Sequence, residues 1–171
     1  TIIMVMALKP IYDLAKIKRV IVSTYQAVSG AGKEGIDELD AQVRDHSEGR
    51  EMTANILPSA SAEKHYPIAF NLIPQIDVFC DNLYTKEEMK MVNETKKIME
   101  DYEMRITATT IRVPVYRSHS ESVNIELEKE VDLGAMREAL AKFPGVTVQD
   151  DPSKQEYPMP LYTSEKDDVY V

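Results

Sequence analysis

Apolar and polar positions alternate along this chain with two different periods, and the periods predict which segments are helical. Near the start, apolar residues recur at about helical spacing and predict a mostly buried helix running to about Ala15, which Pro10 should kink or break. The strongly charged stretch Lys33–Glu48 predicts an amphipathic surface helix, because its apolar residues fall at i, i+3 and i+7, namely Ile36, Leu39 and Val43.

Two further helices are predicted by the capping residues at their N-termini. Thr85 and Glu88 form a T-x-x-E capping box in front of a helical pattern. Asp132 is a natural N-cap for a short helix that ends near Lys142.

Strands are predicted where β-branched residues cluster or where apolar and polar residues alternate strictly: Arg19–Val28, Arg105–Val115, Glu121–Glu130 and Val146–Val148. Gly30–Gly32 is predicted to form a turn, and Asp150–Ser164, which contains three prolines, is predicted to be an irregular arm. The helices fall between strands that are joined by both hairpin and crossover links. The predicted fold class is therefore α+β, a mixed and largely antiparallel sheet with helices packed on one face.

Composition and charge limit the classes of partner. The 171 residues are 43% hydrophobic, enough for the core of one domain, and the formal net charge is −9. This charge argues against nucleic acid and against anionic membrane surfaces as partners. A single Cys cannot form an internal disulfide, and no signal peptide or membrane span is recognisable, so a cytoplasmic protein is expected.

An arginine and a histidine in Ile111–Ser122 are the leading candidates for chemistry. Arg112 lies in an alternating strand pattern, and His119 follows seven residues later. On a straight strand the two would lie on opposite faces, about 23 Å apart, so one shared site requires a bend near Tyr116–Ser118. Arginine binds carboxylates bidentately and histidine transfers protons near neutral pH. The alternative is a surface ion pair beside a polar hairpin tip.

Three further side chains have both a structural and a functional interpretation. Gln26, near the end of an apolar strand, is either a buried amide with satisfied hydrogen bonds or a substrate-binding group. Glu87 and Lys90 share a helix face, where they form either a surface ion pair or part of a binding pocket.

Three other patterns are judged not to be functional sites. Gly30-x-Gly32-x-x-Gly35 resembles a dinucleotide fingerprint, but no second apolar strand follows at the required distance. Cys80 precedes Asp81, which disfavours a thiolate, and is expected in the core. The sequence contains no spaced set of metal ligands, so no metal site is expected.

Four stretches resemble one family, the aspartate-β-semialdehyde dehydrogenases. Ile111–Ser122 resembles its R-[IV]-P-V-x-x-x-H-S-E signature, and Val20–Gly32 is similar to its S-T-Y-Q-A-V-S-G-A-G segment. Tyr84–Met99 resembles the family's substrate-binding helix, and Asp167–Val171 the start of a late D-x-[FY]-V-G-R strand. The internal matches occur in family order and at family-like spacing. Two residues depart from the family pattern. Position 3 is Ile where the family often has Gln, and position 117 is Arg where the family commonly has smaller residues.

The resemblance implies a fold and an activity for the intact enzyme. Residues 1–171 would be its catalytic and dimerisation domain, similar to the C-terminal domain of glyceraldehyde-3-phosphate dehydrogenase. The nucleotide-binding domain would be absent from this chain. The activity would be the NADPH-dependent reductive dephosphorylation of L-aspartyl-4-phosphate to L-aspartate 4-semialdehyde, with release of phosphate, in lysine, methionine and threonine synthesis. NADP would be bound mainly by the absent domain.

The resemblance also implies a role for each candidate residue. Arg112 would bind the substrate α-carboxylate, Glu87 its ammonium group and Lys90 the phosphate. His119 would act as the acid–base, and Gln26 would hold the carbonyl near the nucleophile. The nucleophilic cysteine would lie a residue or two before Thr1, so this chain alone is expected to be inactive.

A homodimer is expected, partly because apolar and tyrosine residues occur in segments without regular structure, at Tyr66, Ile68, Phe70, Ile73, Tyr157, Met159, Leu161 and Tyr162. Two alternatives remain. An acyl-phosphate reductase of the N-acetylglutamyl-phosphate type would share the chemistry, although Glu87 suits a free ammonium group. A non-catalytic assembly module is the other alternative.

Overall fold

The computed structural model describes residues 1–171 and contains five α-helices, five strands and two 3₁₀ turns. The helices are α1 (Ile2–Leu14), α2 (Gly32–Ser47), α3 (Lys86–Met99), α4 (Leu133–Lys142) and α5 (Pro160–Thr163). The strands are β1 (Ile17–Gln26), β2 (Arg105–Arg112), β3 (Ser120–Leu127), β4 (Val146–Thr147) and β5 (Val169–Tyr170). The 3₁₀ turns span Val28–Ala31 and Pro152–Lys154.

The strands form two sheets. One has the strand order β2-β1-β3, and the other pairs β4 with β5 in parallel, with Val146 opposite Val169. The predicted α+β class with a mixed sheet is confirmed. None of the helices has the length and apolar character needed to cross a bilayer.

The chain divides into two compact units. The first contains Thr1–Val22, Lys90–Ala108 and Glu121–Val171. The second contains Ser23–Met89 and Thr109–Ser120.

The core of the first unit is built around α1. Apolar side chains of α1 pack with residues of the first unit, forming a cluster of Met4, Val5, Leu8, Ile17, Val20, Val22, Met91, Met99, Met104 and Ala108. Burial of each larger side chain contributes about 1.5–3 kcal/mol. The helix continues through Pro10, which is itself buried, so of the two predicted effects of this proline, a kink or a break, the break is wrong. Packing of the apolar face outweighs the loss of one helical hydrogen bond at proline.

The core of the second unit contains a polar residue where an apolar one was predicted. Leu39 of α2 is buried, but Val43 is 40% exposed and Gln42 is fully buried instead. The Gln42 Oε1 accepts the N–H groups of Ile68 and Ala69 at 2.9 and 3.0 Å, and its Nε2 donates to the carbonyl of Thr53 at 2.8 Å. Gln42 thereby holds the irregular segment that follows α2.

Both predicted caps are present. The Thr85 N–H donates to Glu88 Oε2 and the Glu88 N–H to Thr85 Oγ1, at 2.8 and 3.2 Å. At α4, the side chain of Asp132 accepts the N–H of Ala135. These interactions span three residues, so the sequence alone specifies them.

Strands β1 and β2 both end earlier than predicted. The chain leaves β1 after Gln26 and forms the 3₁₀ turn, while β2 ends at Arg112. Proline at position 114 has no N–H to extend β2, and the Val115 carbonyl accepts the N–H of Val28 in the 3₁₀ turn. Arg112 is therefore the last residue of its strand.

The carboxylate of Asp101 organises a polar cluster in the first unit. It accepts the Tyr12 hydroxyl at 2.9 Å and the N–H groups of Glu103 and Met104, and the ammonium of Lys16 lies 3.7 Å away. Burial alone would raise the pKa of Asp101, but these hydrogen bonds and Lys16 lower it overall. Burial and the bond to Asp101 raise the pKa of Tyr12 to about 12.

Gln42→Leu should destabilise the protein by about 2–4 kcal/mol, because it leaves two buried N–H groups and one carbonyl without partners. The measurement is the midpoint of urea unfolding. Gln75→Leu is the matched control, since the Gln75 amide makes one exposed bond, to the Asp77 carbonyl. Equal shifts of the midpoint in the two variants would contradict the role of Gln42.

Asp101→Asn should lower the free energy of unfolding by about 1–2 kcal/mol at pH 7. Since the pKa of Asp101 is lower in the folded than in the unfolded state, its stabilising contribution is present above about pH 4. That contribution is lost as the pH falls through the folded pKa. Urea unfolding at pH 7 and pH 3 should show the gap between the two proteins narrowing, and a constant gap would contradict the assignment.

Candidate functional site

One residue of the second unit, Ala27, contacts both leading candidates through its main chain. The Ala27 N–H, directly after β1, donates to His119 Nδ1 at 3.0 Å, and the Ala27 carbonyl accepts from Arg112 Nη1 at 2.7 Å. The chain between Arg112 and His119 bends instead of continuing as a strand, and Ser118 has a positive φ of 71°. Arg112 and His119 therefore lie beside the same residue although seven residues separate them.

The guanidinium of Arg112 is buried, with only 4% of the residue exposed. Burial lowers its pKa, while the charge of Glu87 acts in the opposite direction. Nη1 donates a hydrogen bond to the Ala27 carbonyl, but the buried Nε has no hydrogen-bond partner. Because Nε and Nη2 form the side edge of the guanidinium fork, that edge has the geometry for a carboxylate with two oxygens.

Gln26 is oriented by two side chains. Its Oε1 accepts the Thr24 hydroxyl at 2.8 Å, and its Nε2 donates to Glu87 Oε1 at 3.2 Å. The bond from Thr24 fixes which side of the amide carries the N–H groups. Gln26 and Glu87, 61 residues apart, thus form one hydrogen-bonded chain of polar groups.

Glu88 links the start of α3 to β2. Besides its capping bonds, its Oε1 accepts the backbone N–H of Thr110 at 3.1 Å. Thr110 is two residues before Arg112, and Glu87 is adjacent to Glu88. The capping carboxylate therefore fixes the helix that carries Glu87 against the strand that carries Arg112.

The turn of Val28–Ala31 closes another side of Arg112. Its backbone is held by Val28 N–H to the Val115 carbonyl and by Ser29 N–H to the Tyr116 carbonyl. In the G-x-G-x-x-G pattern, Gly30 lies against the Arg112 guanidinium and Gly35 against the carbonyl of Val28. These two glycines serve close packing within the second unit.

The hydrogen bond at His119 selects a tautomer. A backbone N–H can only donate, so Nδ1 accepts from Ala27 and the neutral ring carries its hydrogen on Nε2. The His119 residue as a whole is exposed.

The remaining sequence candidates have different surroundings. Lys90 is exposed on α3, three residues after Glu87 and outside the second unit. Cys80 is half-buried in a turn and not in the core as predicted, since its N–H and carbonyl bond Tyr84 and Leu83. The structure contains no group of three or more His, Cys, Asp or Glu side chains that could hold a metal ion.

Sequence reasoning did not find the residues that position these candidates. Ala27 acts only through its main chain, and Thr24 acts through a side chain that has no distinctive local pattern. The capping box identified Glu88 as a cap but not its bond to the Thr110 N–H. The sequence places Gly30 in a turn and in a G-x-G-x-x-G pattern, and neither predicts its contact with Arg112. The only sequence feature that marks Gly30 is its position in a glycine-containing segment just before a helix.

Comparisons with known proteins agree with one another. The family model described as semialdehyde dehydrogenase, dimerisation domain, matches residues 8–171. An aspartate-semialdehyde dehydrogenase from Aquifex aeolicus (strain VF5) is 52% identical over 171 residues, covering 100% of this chain and 48% of that protein. The chain thus spans about half the length of the curated relatives it matches.

Solved structures show the same likeness. Aspartate semialdehyde dehydrogenase II from Vibrio cholerae, complexed with ASA, is 42% identical with a TM-score of 0.87, over 97% of this chain and 46% of that one. The Candida albicans enzyme with NADP, 21% identical with a TM-score of 0.62 over 97% of this chain and 43% of that one, shares the fold. By the family match over residues 8–171, this chain belongs to the family of semialdehyde dehydrogenase dimerisation domains.

Proposed function

We propose that this chain is the catalytic and dimerisation domain of an aspartate-semialdehyde dehydrogenase. The reaction is the reductive dephosphorylation of L-aspartyl-4-phosphate to L-aspartate 4-semialdehyde and phosphate, in amino-acid biosynthesis in the cytoplasm. The observation that carries the proposal is the buried Arg112, whose Nε lacks a partner, beside the carboxylate of Glu87.

Opposite charges in this arrangement suit an α-amino acid. The Nε–Nη2 edge of Arg112 binds the α-carboxylate in two hydrogen bonds, and the ligand's negative charge offsets the cost of burying the guanidinium. Glu87 receives the ammonium group. Glu87 is itself held by Gln26, so the two ends of the amino acid are bound at a fixed spacing.

The bond-changing steps take place beside this amino-acid site. A thiolate adds to the acyl carbon, the carbon–oxygen bond to phosphate breaks, and phosphate leaves. We assign the thiolate to a residue outside this chain, because Cys80 is half-buried in a turn beside Asp81. This assignment implies that the 171 residues alone do not turn over substrate.

The side chains of this chain move the proton and orient the carbonyl. His119, whose Nδ1 accepts the Ala27 N–H, donates a proton from Nε2 to oxygen as negative charge develops and takes it back in the reverse direction. The second N–H of Gln26 holds the substrate carbonyl. Lys90 supplies a positive charge for the phosphate.

In the proposed reaction NADPH would supply the hydride and become NADP, and we propose that this cofactor is held mainly by residues outside this chain. The glycine pattern at Gly30 and Gly35 does not fit a dinucleotide, because Arg112 and the Val28 carbonyl already occupy the space beside these residues. No other glycine-rich turn of the G-x-G-x-x-G type occurs in the sequence.

The negative charge of Glu87 disfavours the alternative function, an acyl-phosphate reductase of the N-acetylglutamyl-phosphate type. An N-acetylated substrate has no ammonium group, so Glu87 would remain near an uncharged amide. Discrimination between L-aspartate 4-semialdehyde and an N-acetylated semialdehyde therefore separates these two enzymes.

The proposed assembly is a homodimer. Several large apolar side chains of the second unit are exposed in its irregular segments: Tyr66, Phe70, Leu72, Phe79, Leu83 and Tyr84. Ile68 and Ile73 are buried, so they are not available to a partner. In the first unit, Tyr157, Leu161 and Tyr162 are also exposed. Apolar surface of this extent is typical of an interface.

Replacement of Arg112 and His119 in the full-length enzyme should affect different kinetic constants. Arg112→Lys should raise KM for L-aspartate 4-semialdehyde about 10- to 100-fold, because the two-oxygen contact is lost. His119→Asn should lower kcat about 10²- to 10⁴-fold with little change in KM. Both are measured by NADPH formation from the semialdehyde, phosphate and NADP.

Matched controls separate these effects from a general loss of structure. Arg105→Lys changes an exposed arginine at the start of the same strand, and His65→Asn a histidine outside the site. Both should leave the kinetic constants near wild type. A kcat effect from Arg112→Lys together with a KM effect from His119→Asn would reverse the assigned roles.

Phe70→Asp combined with Leu72→Asp should weaken the dimer, because two charges enter an exposed apolar surface. Sedimentation equilibrium at micromolar protein should give the dimer mass for the wild type and a lower average mass for the variant. A wild type of monomer mass at every concentration would rule out the homodimer.

A further inference from the structure

We propose that Gly30 is a positioning residue for Arg112, because the absence of a side chain at position 30 provides the space that the guanidinium occupies. The inference rests on the proposed carboxylate-binding role of Arg112. It assigns to a glycine of the 3₁₀ turn an effect on substrate affinity exerted through another side chain.

A Cβ at position 30 would lie 2.6 Å from Arg112 Nη1 and 3.5 Å from both Cζ and Nη2. A carbon–nitrogen contact of 2.6 Å is far inside the van der Waals distance, so one of the two groups must move. Gly30 does not have a positive φ, unlike Gly32 and Gly145. Its backbone conformation is open to any residue, so the need for glycine comes from Arg112.

The backbone at Gly30 cannot move away easily. The N–H groups of Val28 and Ser29 are bonded to Val115 and Tyr116, and the Gly30 N–H donates to the Ala27 carbonyl at 3.2 Å. On the other side of the turn, Gly35 of α2 approaches so closely that a Cβ there would lie 2.6 Å from the Val28 carbonyl oxygen. The turn is held on both sides.

The guanidinium is the group that moves. The backbone of Arg112 is fixed by two hydrogen bonds to Ile73, at 2.9 and 3.1 Å, so only its side chain can shift. Such a shift breaks the 2.7 Å bond from Nη1 to the Ala27 carbonyl and turns the Nε–Nη2 edge. Since that edge receives the carboxylate, the loss is expected in substrate binding and not in folding.

The first test compares Gly30→Ala with Gly32→Ala in the full-length enzyme. Gly30→Ala should raise KM for L-aspartate 4-semialdehyde on the order of 10- to 100-fold, with a smaller change in kcat and a near-wild-type melting temperature. Gly32→Ala is the matched control, because Gly32 has a φ of 80° and no atom within 4 Å of a built Cβ. It should lower the melting temperature and leave KM unchanged.

The second test is a double-mutant cycle with Arg112→Lys. Lysine has no Nη1 to clash with a Cβ at position 30, so Gly30→Ala should add little to the KM of Arg112→Lys. A full additional increase in KM would overturn the inference. If Arg112→Lys raises KM but Gly30→Ala does not, the inference fails while the proposed function stands. If Arg112→Lys leaves KM unchanged, the proposed carboxylate site fails.

A crystal structure of the Gly30→Ala variant tests the geometry independently of activity. The inference expects the guanidinium displaced and its bond to the Ala27 carbonyl broken, with the turn unchanged. An Arg112 side chain in its original position, with the turn of Val28–Ala31 shifted instead, would overturn it.

Discussion

The buried charge of Arg112 is the constraint on which the site depends. A guanidinium taken out of water is costly unless its N–H groups find acceptors and its charge finds a partner. In this protein the Ala27 carbonyl accepts from Nη1, and the carboxylate of Glu87 opposes the effect of burial on the pKa of Arg112. The arrangement leaves Nε without a partner. In the proposed function, a carboxylate ligand completes it.

The need to place this charge explains features that otherwise look unrelated. Strand β1 ends at Gln26, and the main chain of the next residue, Ala27, contacts Arg112 through its carbonyl and His119 through its N–H. The turn that follows contains a glycine where the guanidinium needs space. The cap of α3 is connected through Glu88 to β2, so the helix start and the strand end are fixed together. Each of these features constrains the position of a charged or polar group.

Much of the fold was predictable, and the errors have physical causes. The two capping motifs and the helix and strand patterns were found because they depend on neighbours within a few residues. Proline at position 10 predicts a kink or a break in α1, but the helix is not broken there, because its apolar face is buried. The helical periodicity predicts that Val43 is buried. Gln42 is buried instead, because its amide forms hydrogen bonds with three backbone groups of the segment that follows α2. Periodicity alone cannot predict such partners.

The sequence by itself determined most of the helices and strands, the caps and the residues that resemble one dehydrogenase family, because each of these depends on a short stretch of chain. It also named Arg112 and His119 as candidates. It did not predict α5 or the 3₁₀ turn at Pro152–Lys154, which lie in a segment expected to be irregular. Only the tertiary structure decided that both contact Ala27, over separations of 85 and 92 residues, and that Gly30 faces the guanidinium. The physical reason is that main-chain acceptors and missing side chains have no residue type of their own to recognise. Such groups acquire their role only when the folded chain places distant residues in contact with them.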